Sequence, residues 1–242
     1  MKSLSQIFLV VFLFAIAMGF LEAIVVVYLR ELFYPGGFHF PLVTLPAKLV
    51  NIEIVREVTT LIMLVSIGLL TGKTKNERFA WFLVVFGVWD IFYYVGLKLF
   101  LNWPASLMTW DILFLIPVTW IGPVLAPVIC SFTMISISVP IIFFERNGYS
   151  LKFGKYIWTL FISGAIIILF SFVESSFILL YFEGFFNLFN NDFNPANLEK
   201  AFSNFVPEKF NWLLFIIGKL FILGGAFHLI RQYLKKYKRI SK

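Results

Sequence analysis

The sequence predicts an all-α integral membrane protein, a bundle of six transmembrane helices that forms a single polytopic domain over residues 1–242. Hydrophobic residues make up 60% of the chain and charged residues only 14%, whereas a soluble domain typically has about 45–50% apolar and about 25% charged residues. Six apolar segments have the roughly 20 residues that a helix needs to cross the hydrocarbon core of a bilayer. The single cysteine excludes a disulfide scaffold.

The fourth apolar segment is too long for one straight helix. The predicted spans lie near 5–30, 49–71, 79–101, 111–144, 153–182 and 210–234. The fourth span contains Pro117, Pro123 and Pro127, and each proline removes a backbone donor and tends to kink or break a helix. We therefore expect a Pro-broken fourth segment, in which 111–122 forms a short helix or re-entrant piece that leads into a span near 124–144.

The first apolar segment is expected to be a retained helix rather than a signal peptide. Its charged start at Lys2 is typical of a signal peptide, but the apolar run continues to about Val27. The core of a signal peptide usually has about 7–15 residues, and no small-x-small cleavage site stands at a suitable place.

The distribution of lysine and arginine predicts the orientation of the helices. Most of these residues outside the spans fall in the connections 72–78 and 145–155 and in the C-terminal region with its basic tail 235–242. Because cytoplasmic loops carry the excess of positive charge, we expect a multi-pass protein of the cell (inner, cytoplasmic) membrane with both termini in the cytoplasm. The outward connections would be 31–48, 102–110 and 183–209. The net charge of +7 then reflects topology, and no nucleic-acid partner is expected.

The outer loop 183–209 is rich in asparagine, phenylalanine and acidic residues. Two interpretations stay open. The loop is either a lid over an outward-facing site, or an interfacial amphipathic helix near 195–205 with Phe202 and Phe205 in the headgroup region.

Eight Asp, Glu, Lys and Arg residues remain in or at the predicted spans when those near the span ends, such as Arg30 on the outer side, are counted with the connections. A charge at the bilayer centre costs about 2.5–3.5 kcal/mol on insertion scales, so such groups need partners or water. They are Glu22, Glu53, Arg56, Glu57, Asp90, Asp111, Glu174 and Lys219. At about 1.5 Å per residue, most of them lie in the outer half of the bilayer, with Asp90 and Lys219 near the midplane.

Helical spacing places several of these groups on common faces. Glu53, Arg56 and Glu57 stand at i, i+3 and i+4, as do Asp90, Tyr93 and Tyr94. The sequence therefore predicts one carboxylate-rich cavity in the outer half, rimmed by tryptophans at 103, 110 and 120. The expected ligand-binding residues are Glu22, Glu53, Arg56, Glu57, Asp90, Tyr93, Tyr94, Trp110, Glu174 and Lys219.

A purely structural interpretation of these residues stays open as well. Arg56 would then only neutralise its two glutamate neighbours, Asp111 would be a helix N-cap, and the two tyrosines would belong to an aromatic belt.

Three functions fit this pattern, and whether the protein is an enzyme stays open. The leading hypothesis is a cavity that binds or transports a polar or cationic small molecule, because acidic groups and aromatic faces attract cations. The second is a membrane-embedded hydrolase acting on lipid or peptide at the outer leaflet, with Asp90 and Asp111 as a catalytic pair sharing one proton or carboxylates holding a metal. The third is a structural or assembly subunit with partner membrane subunits.

Known cofactor and metal motifs give no further direction. We find no Walker loop, no Gly-x-Gly-x-x-Gly and no Gly-x-Ser-x-Gly, so the identity of any cofactor stays open. His39, His228 and Cys130 lie in different parts of the predicted topology, so a zinc or iron site is not expected. A hard cation such as Ca²⁺ or Mn²⁺, held by carboxylates, stays open. The expected surroundings are the lipid bilayer and a small-molecule or cation ligand.

Overall fold

The computed structural model is mostly helical, with six helices long and apolar enough to cross a membrane, which confirms the coarse architecture predicted above. It describes residues 3–149, 152–182 and 195–240, with side chains described outside 195–199 and 235–240. In chain order the elements are α1 Leu4–Phe33, α2 Ala47–Thr71, α3 Lys75–Leu101, β1 Trp110–Ile112, β2 Ile121–Pro123, α4 Leu125–Arg146, α5 Lys155–Phe182, α6 Pro195–Asn204 and α7 Trp212–Ile240.

Helix α3 is the centre of the fold and packs against α1, α2 and α4. Its most apolar stretch is 56% buried, compared with 22–33% for the other five long helices. Small residues permit the close packing on α1, because a Cβ added at Gly19 would stand 2.6 Å from the Trp89 carbonyl oxygen of α3. Trp81, Val84 and Val85 of α3 are fully buried in the resulting core.

Helices α5 and α7 form a second packing unit. A Cβ added at Gly164 of α5 would lie 2.8 Å from the Gly218 carbonyl oxygen, and one added at Gly218 of α7 would lie 2.9 Å from the Gly164 carbonyl oxygen. The two backbones therefore touch where neither has a side chain, which is the usual way that membrane helices approach closely. The α1–α4 group and this pair form the two sides of the molecule.

The region expected to be a short helix or re-entrant piece is not a helix but a β-hairpin. Strands β1 and β2 pair antiparallel, with Asp111 opposite Gly122. The pairing continues toward the turn, since the Leu113 N–H donates to the Trp120 carbonyl oxygen (2.9 Å) and the Trp120 N–H to that of Phe114 (2.7 Å). In a helix, Pro123 would leave the Thr119 carbonyl oxygen without its usual donor; here that oxygen accepts a hydrogen bond from Ser176 Oγ of α5 at 2.5 Å.

The fourth long helix begins only after the hairpin, at Leu125. Pro127 lies in its first turn, where a missing N–H is tolerated, and Pro140 lies within it. The interfacial helix expected near 195–205 corresponds in position to α6, Pro195–Asn204. Residues 183–194 of the outer loop, and the end of the basic tail 235–242, lie outside the described residues.

Candidate functional site

A cavity of about 440 Å³ lies between the α1–α4 group and the α5/α7 pair. The hairpin, the end of α1 and the beginning of α2 contribute to its wall, so we name it the hairpin-end cavity. Most of the lining is apolar, and eight charged residues are set into it. They are Glu22, Arg30, Glu53, Arg56, Glu57, Asp90, Asp111 and Lys219. Five carboxylates thus face three basic groups in one space.

Arg56 is held between two carboxylates from different helices. Its Nε donates to Glu53 Oε2 at 2.7 Å, one turn away on α2, and its guanidinium also contacts the carboxylate of Glu22 on α1. Thr60 Oγ1 donates a further hydrogen bond to Glu22 Oε2 at 3.1 Å. The positive charge of Arg56 is therefore compensated twice over, and the cluster ties α1 to α2.

Arg30 is the basic group that sequence reasoning missed, since it was assigned to the outer side of the protein. It lies in the last turn of α1, only 6% exposed, and its Nη2 donates to Asp111 Oδ1 at 2.8 Å. Its guanidinium carbon stands 3.8 Å from the Trp103 ring centroid and 4.4 Å from that of Phe38. Tyr94 completes the cluster by donating its hydroxyl to Asp111 Oδ2 at 3.1 Å.

Asp111 is therefore not a helix N-cap. It lies in strand β1 and is 1% exposed. Its neighbour Trp110, expected to bind the ligand, is not among the residues that line the cavity. Trp110 packs instead against Phe210, with ring centroids 6.4 Å apart.

The connection between α1 and α2 lies against the same end of the cavity, to which Tyr34, Phe38 and Leu45 contribute lining. The Val43 N–H donates to the Tyr34 hydroxyl oxygen at 2.9 Å, which holds this connection in a fixed shape. Burial raises the pKa of the Tyr34 hydroxyl above its ordinary value, so the phenol is neutral at physiological pH.

Glu57 joins α2 to the hairpin through the backbone. The Leu115 N–H donates to both of its carboxylate oxygens, at 2.9 and 3.0 Å. Within the described part of the chain, Glu57 makes no ion pair. Its charge is thus met by a backbone dipole rather than by a base.

Asp90 and Lys219 are the two charged groups that the sequence places near the bilayer midplane. In the structure, each makes hydrogen bonds to uncharged groups. Ser131 Oγ donates to Asp90 Oδ2 at 2.6 Å. Lys219 Nζ donates to Thr133 Oγ1 at 2.5 Å and to the Ile129 carbonyl oxygen at 3.5 Å. Among the described residues, no ion pair involves either Asp90 or Lys219.

The structure brings most of the expected ligand-binding residues to one cavity. Those that line it are Glu22, Glu53, Arg56, Glu57, Asp90, Tyr93, Tyr94 and Lys219. Glu174 does not, since it accepts hydrogen bonds of 3.1 and 3.2 Å from the Asn211 side-chain amide. Of the three rim tryptophans, Trp120 lines the cavity, whereas Trp103 packs on Arg30.

The hydroxyl partners Ser131 and Thr133 were not found from the sequence, because single hydroxyl residues in an apolar helix carry no distinctive spacing. Arg30 had one available signal, its position about two helical turns after Glu22 within a continuous helical pattern.

Across the residues that the structure describes, no group of three or more His, Cys, Asp or Glu side chains is arranged to hold a metal ion. Compared with protein-family models, with curated proteins and with solved structures, the chain shows no significant match. The functional argument therefore depends on the geometry of the hairpin-end cavity.

Proposed function

We propose that this chain is a membrane-embedded binding protein that takes a small amphiphilic molecule with a cationic group into the hairpin-end cavity, for uptake or transport. The carrying observation is the charge imbalance of the cavity. Both arginines are already paired with carboxylates, while Asp90 and Glu57 line the same space and make no ion pair with any described residue.

Asp90 is the group we assign to the cation. Its Ser131 hydrogen bond uses one acceptor position of a carboxylate, which has about four. A carboxylate removed from water without a cation is costly, so a ligand cation beside Asp90 would supply what the protein does not. The aromatic rings of Trp89, Tyr93 and Tyr94 contribute to the cavity lining and add cation–π attraction.

The apolar part of the cavity lining favours a ligand whose remaining atoms are apolar. Phe86 of α3, Met134 of α4 and Phe161 and Ile168 of α5 are among the apolar residues that line the cavity. A purely polar ion would leave this surface unused, whereas a molecule with an apolar body buries it. A volume of about 440 Å³ lies within the roughly 300–1,000 Å³ of small-molecule sites.

The hydrolase hypothesis finds less support in this geometry. An aspartate pair that shares one proton requires the two carboxyl groups to face each other about 3 Å apart. Asp111 instead uses its oxygens on Arg30 and Tyr94, and Asp90 binds Ser131. No hydrogen bond joins the two aspartates among the described residues.

The test is equilibrium binding of radiolabelled dodecyltrimethylammonium to the full chain in nanodiscs of uncharged digalactosyldiacylglycerol, with empty nanodiscs subtracted. We expect saturable binding that Asp90→Asn weakens by about tenfold or more, since a charge-assisted contact is worth about 1.5–3 kcal/mol. The matched control is Glu208→Gln, which changes an exposed acid outside the cavity and leaves the affinity unchanged.

Two results would overturn the proposal. One is the absence of binding above empty nanodiscs. The other is wild-type affinity in both Asp90→Asn and Glu57→Gln, which would assign any binding to the lipid or to another surface. Accumulation of the same probe in sealed proteoliposomes, compared with Asp90→Asn vesicles, then separates transport from binding alone.

A further inference from the structure

We infer that the ligand also carries an anionic group, bound by Lys219, so that the hairpin-end cavity takes a zwitterionic amphiphile. This inference rests on the proposed cation-binding function and adds the second charge of the ligand. Lys219 lines the cavity and is only 9% exposed. Among the described residues, its hydrogen-bond partners are all uncharged.

Lys219 differs in this respect from the two arginines of the cavity. Arg30 pairs with Asp111, and Arg56 pairs with Glu53 and Glu22, so both guanidinium charges are compensated within the protein. An ammonium group has three N–H donors and no acceptor. Two donors of Lys219 go to Thr133 and to a carbonyl oxygen, which leaves one donor and the whole formal charge for a ligand.

Lys219 and Asp90 bind two different residues on one turn of α4, and this keeps the two charges apart. Ser131 binds Asp90 and Thr133 binds Lys219. Residues two positions apart in a helix point in directions roughly 200° different, so the two charges approach α4 from different sides. Although both line the cavity, they lie more than 4 Å apart, beyond ion-pair distance.

Two opposite charges that line one cavity without pairing carry a desolvation cost that their mutual attraction does not offset. A ligand with one charge of each sign would compensate both at once. A cation alone would satisfy Asp90 and add to the positive charge near Lys219. The arrangement therefore favours a headgroup with separated charges, such as a phosphate or carboxylate linked to an ammonium, attached to an apolar chain.

The experiment compares two probes with the same chain, dodecyltrimethylammonium and dodecylphosphocholine, in the nanodisc assay described above. The wild-type protein is expected to bind dodecylphosphocholine about tenfold more tightly. Lys219→Met should weaken dodecylphosphocholine by about tenfold and leave dodecyltrimethylammonium unchanged or tighter, because it removes a positive charge. Lys219→Arg should retain most of the preference.

Lys209→Met is the matched control. It removes an exposed lysine that precedes α7 and lies outside the cavity, and both affinities should stay at wild-type values. Asp90→Asn should weaken both probes, since both present a quaternary ammonium group.

Each remaining outcome decides the inference. If the wild type binds both probes equally, or if Lys219→Met weakens both by the same factor, Lys219 does not read an anionic group and the inference is overturned. Cation binding that depends on Asp90 would survive that result. If neither probe binds above empty nanodiscs, the proposed function fails together with the inference.

Discussion

The two ends of the helix bundle use the same residue types in different ways. At the end opposite the hairpin, Glu77 is 1% exposed and its carboxylate contacts the Arg146 guanidinium. It also accepts hydrogen bonds from the Trp81 indole (3.2 Å) and from the Lys73 N–H (2.9 Å). Arg146 donates further to the Thr71 carbonyl oxygen. This cluster joins the end of α2, the start of α3 and the end of α4, and it lines no described cavity.

At the hairpin end, glutamate, arginine and tryptophan side chains line a cavity. In the described part of the chain, buried donors without a hydrogen-bond partner include Arg30 Nη1, Trp89 Nε1 and Trp103 Nε1, and none belongs to the Glu77 cluster. Asp90 and Lys219 add charges that make no ion pair with any described residue. Buried polar groups are normally hydrogen-bonded, so the unpaired groups at the hairpin end support the proposal made above for a ligand in the cavity.

The largest effect is expected from breaking the paired end. Glu77→Ala would leave Arg146 without its acid, and loss of one partner of a buried pair costs about 3–5 kcal/mol. We expect that decrease in the free energy of unfolding, measured by dodecyl sulfate titration of the protein in dodecyl maltoside micelles. The control is Glu208→Ala, at an exposed position. A wild-type free energy of unfolding together with lost probe binding would contradict the comparison.

An intermediate effect on stability is expected at Arg30, which is ion-paired with Asp111 and also lines the cavity. Arg30→Lys keeps the charge beside Asp111 but loses the planar stacking between Trp103 and Phe38. We expect a loss of about 1–2 kcal/mol in the same titration, in the range of buried cation–π contacts.

A double-mutant cycle shows whether this loss comes from the rings. In a Trp103→Leu background, the cost of Arg30→Lys should fall, because residues in contact are coupled. Full additivity of the two substitutions would show that the stacking contributes nothing.

The smallest effect on stability is expected at Asp90. Asn keeps an oxygen that accepts from Ser131 and removes an uncompensated charge, so Asp90→Asn should change the free energy of unfolding by less than about 1 kcal/mol. Loss of binding alone does not separate a ligand contact from a folding defect, so probe binding and the free energy of unfolding are measured on one preparation. A destabilisation as large as that of Glu77→Ala would make Asp90 a structural residue.

The faces that bear the charges follow from local geometry. Glu53, Arg56 and Glu57 share a face because a helix brings positions three and four apart together, whatever the rest of the fold does. Asp90 and Tyr94 share a face for the same reason, and their helices are recognisable from apolar length alone. Glu174 also lies on a predicted membrane helix, yet it hydrogen-bonds Asn211 and does not line the cavity. Helical spacing shows which residues share a face, but not which neighbouring element packs against that face.

The sequence by itself determined the mostly helical architecture, the six apolar helices and the direction in which several charges point, since these depend on contacts within one helix. Only the tertiary structure decided that 110–123 is a hairpin, that Arg30 pairs with Asp111, and that α4 separates Asp90 from Lys219. Those contacts join residues far apart in the chain. Which acid meets which base depends on how the helices pack, and composition and spacing do not specify that packing.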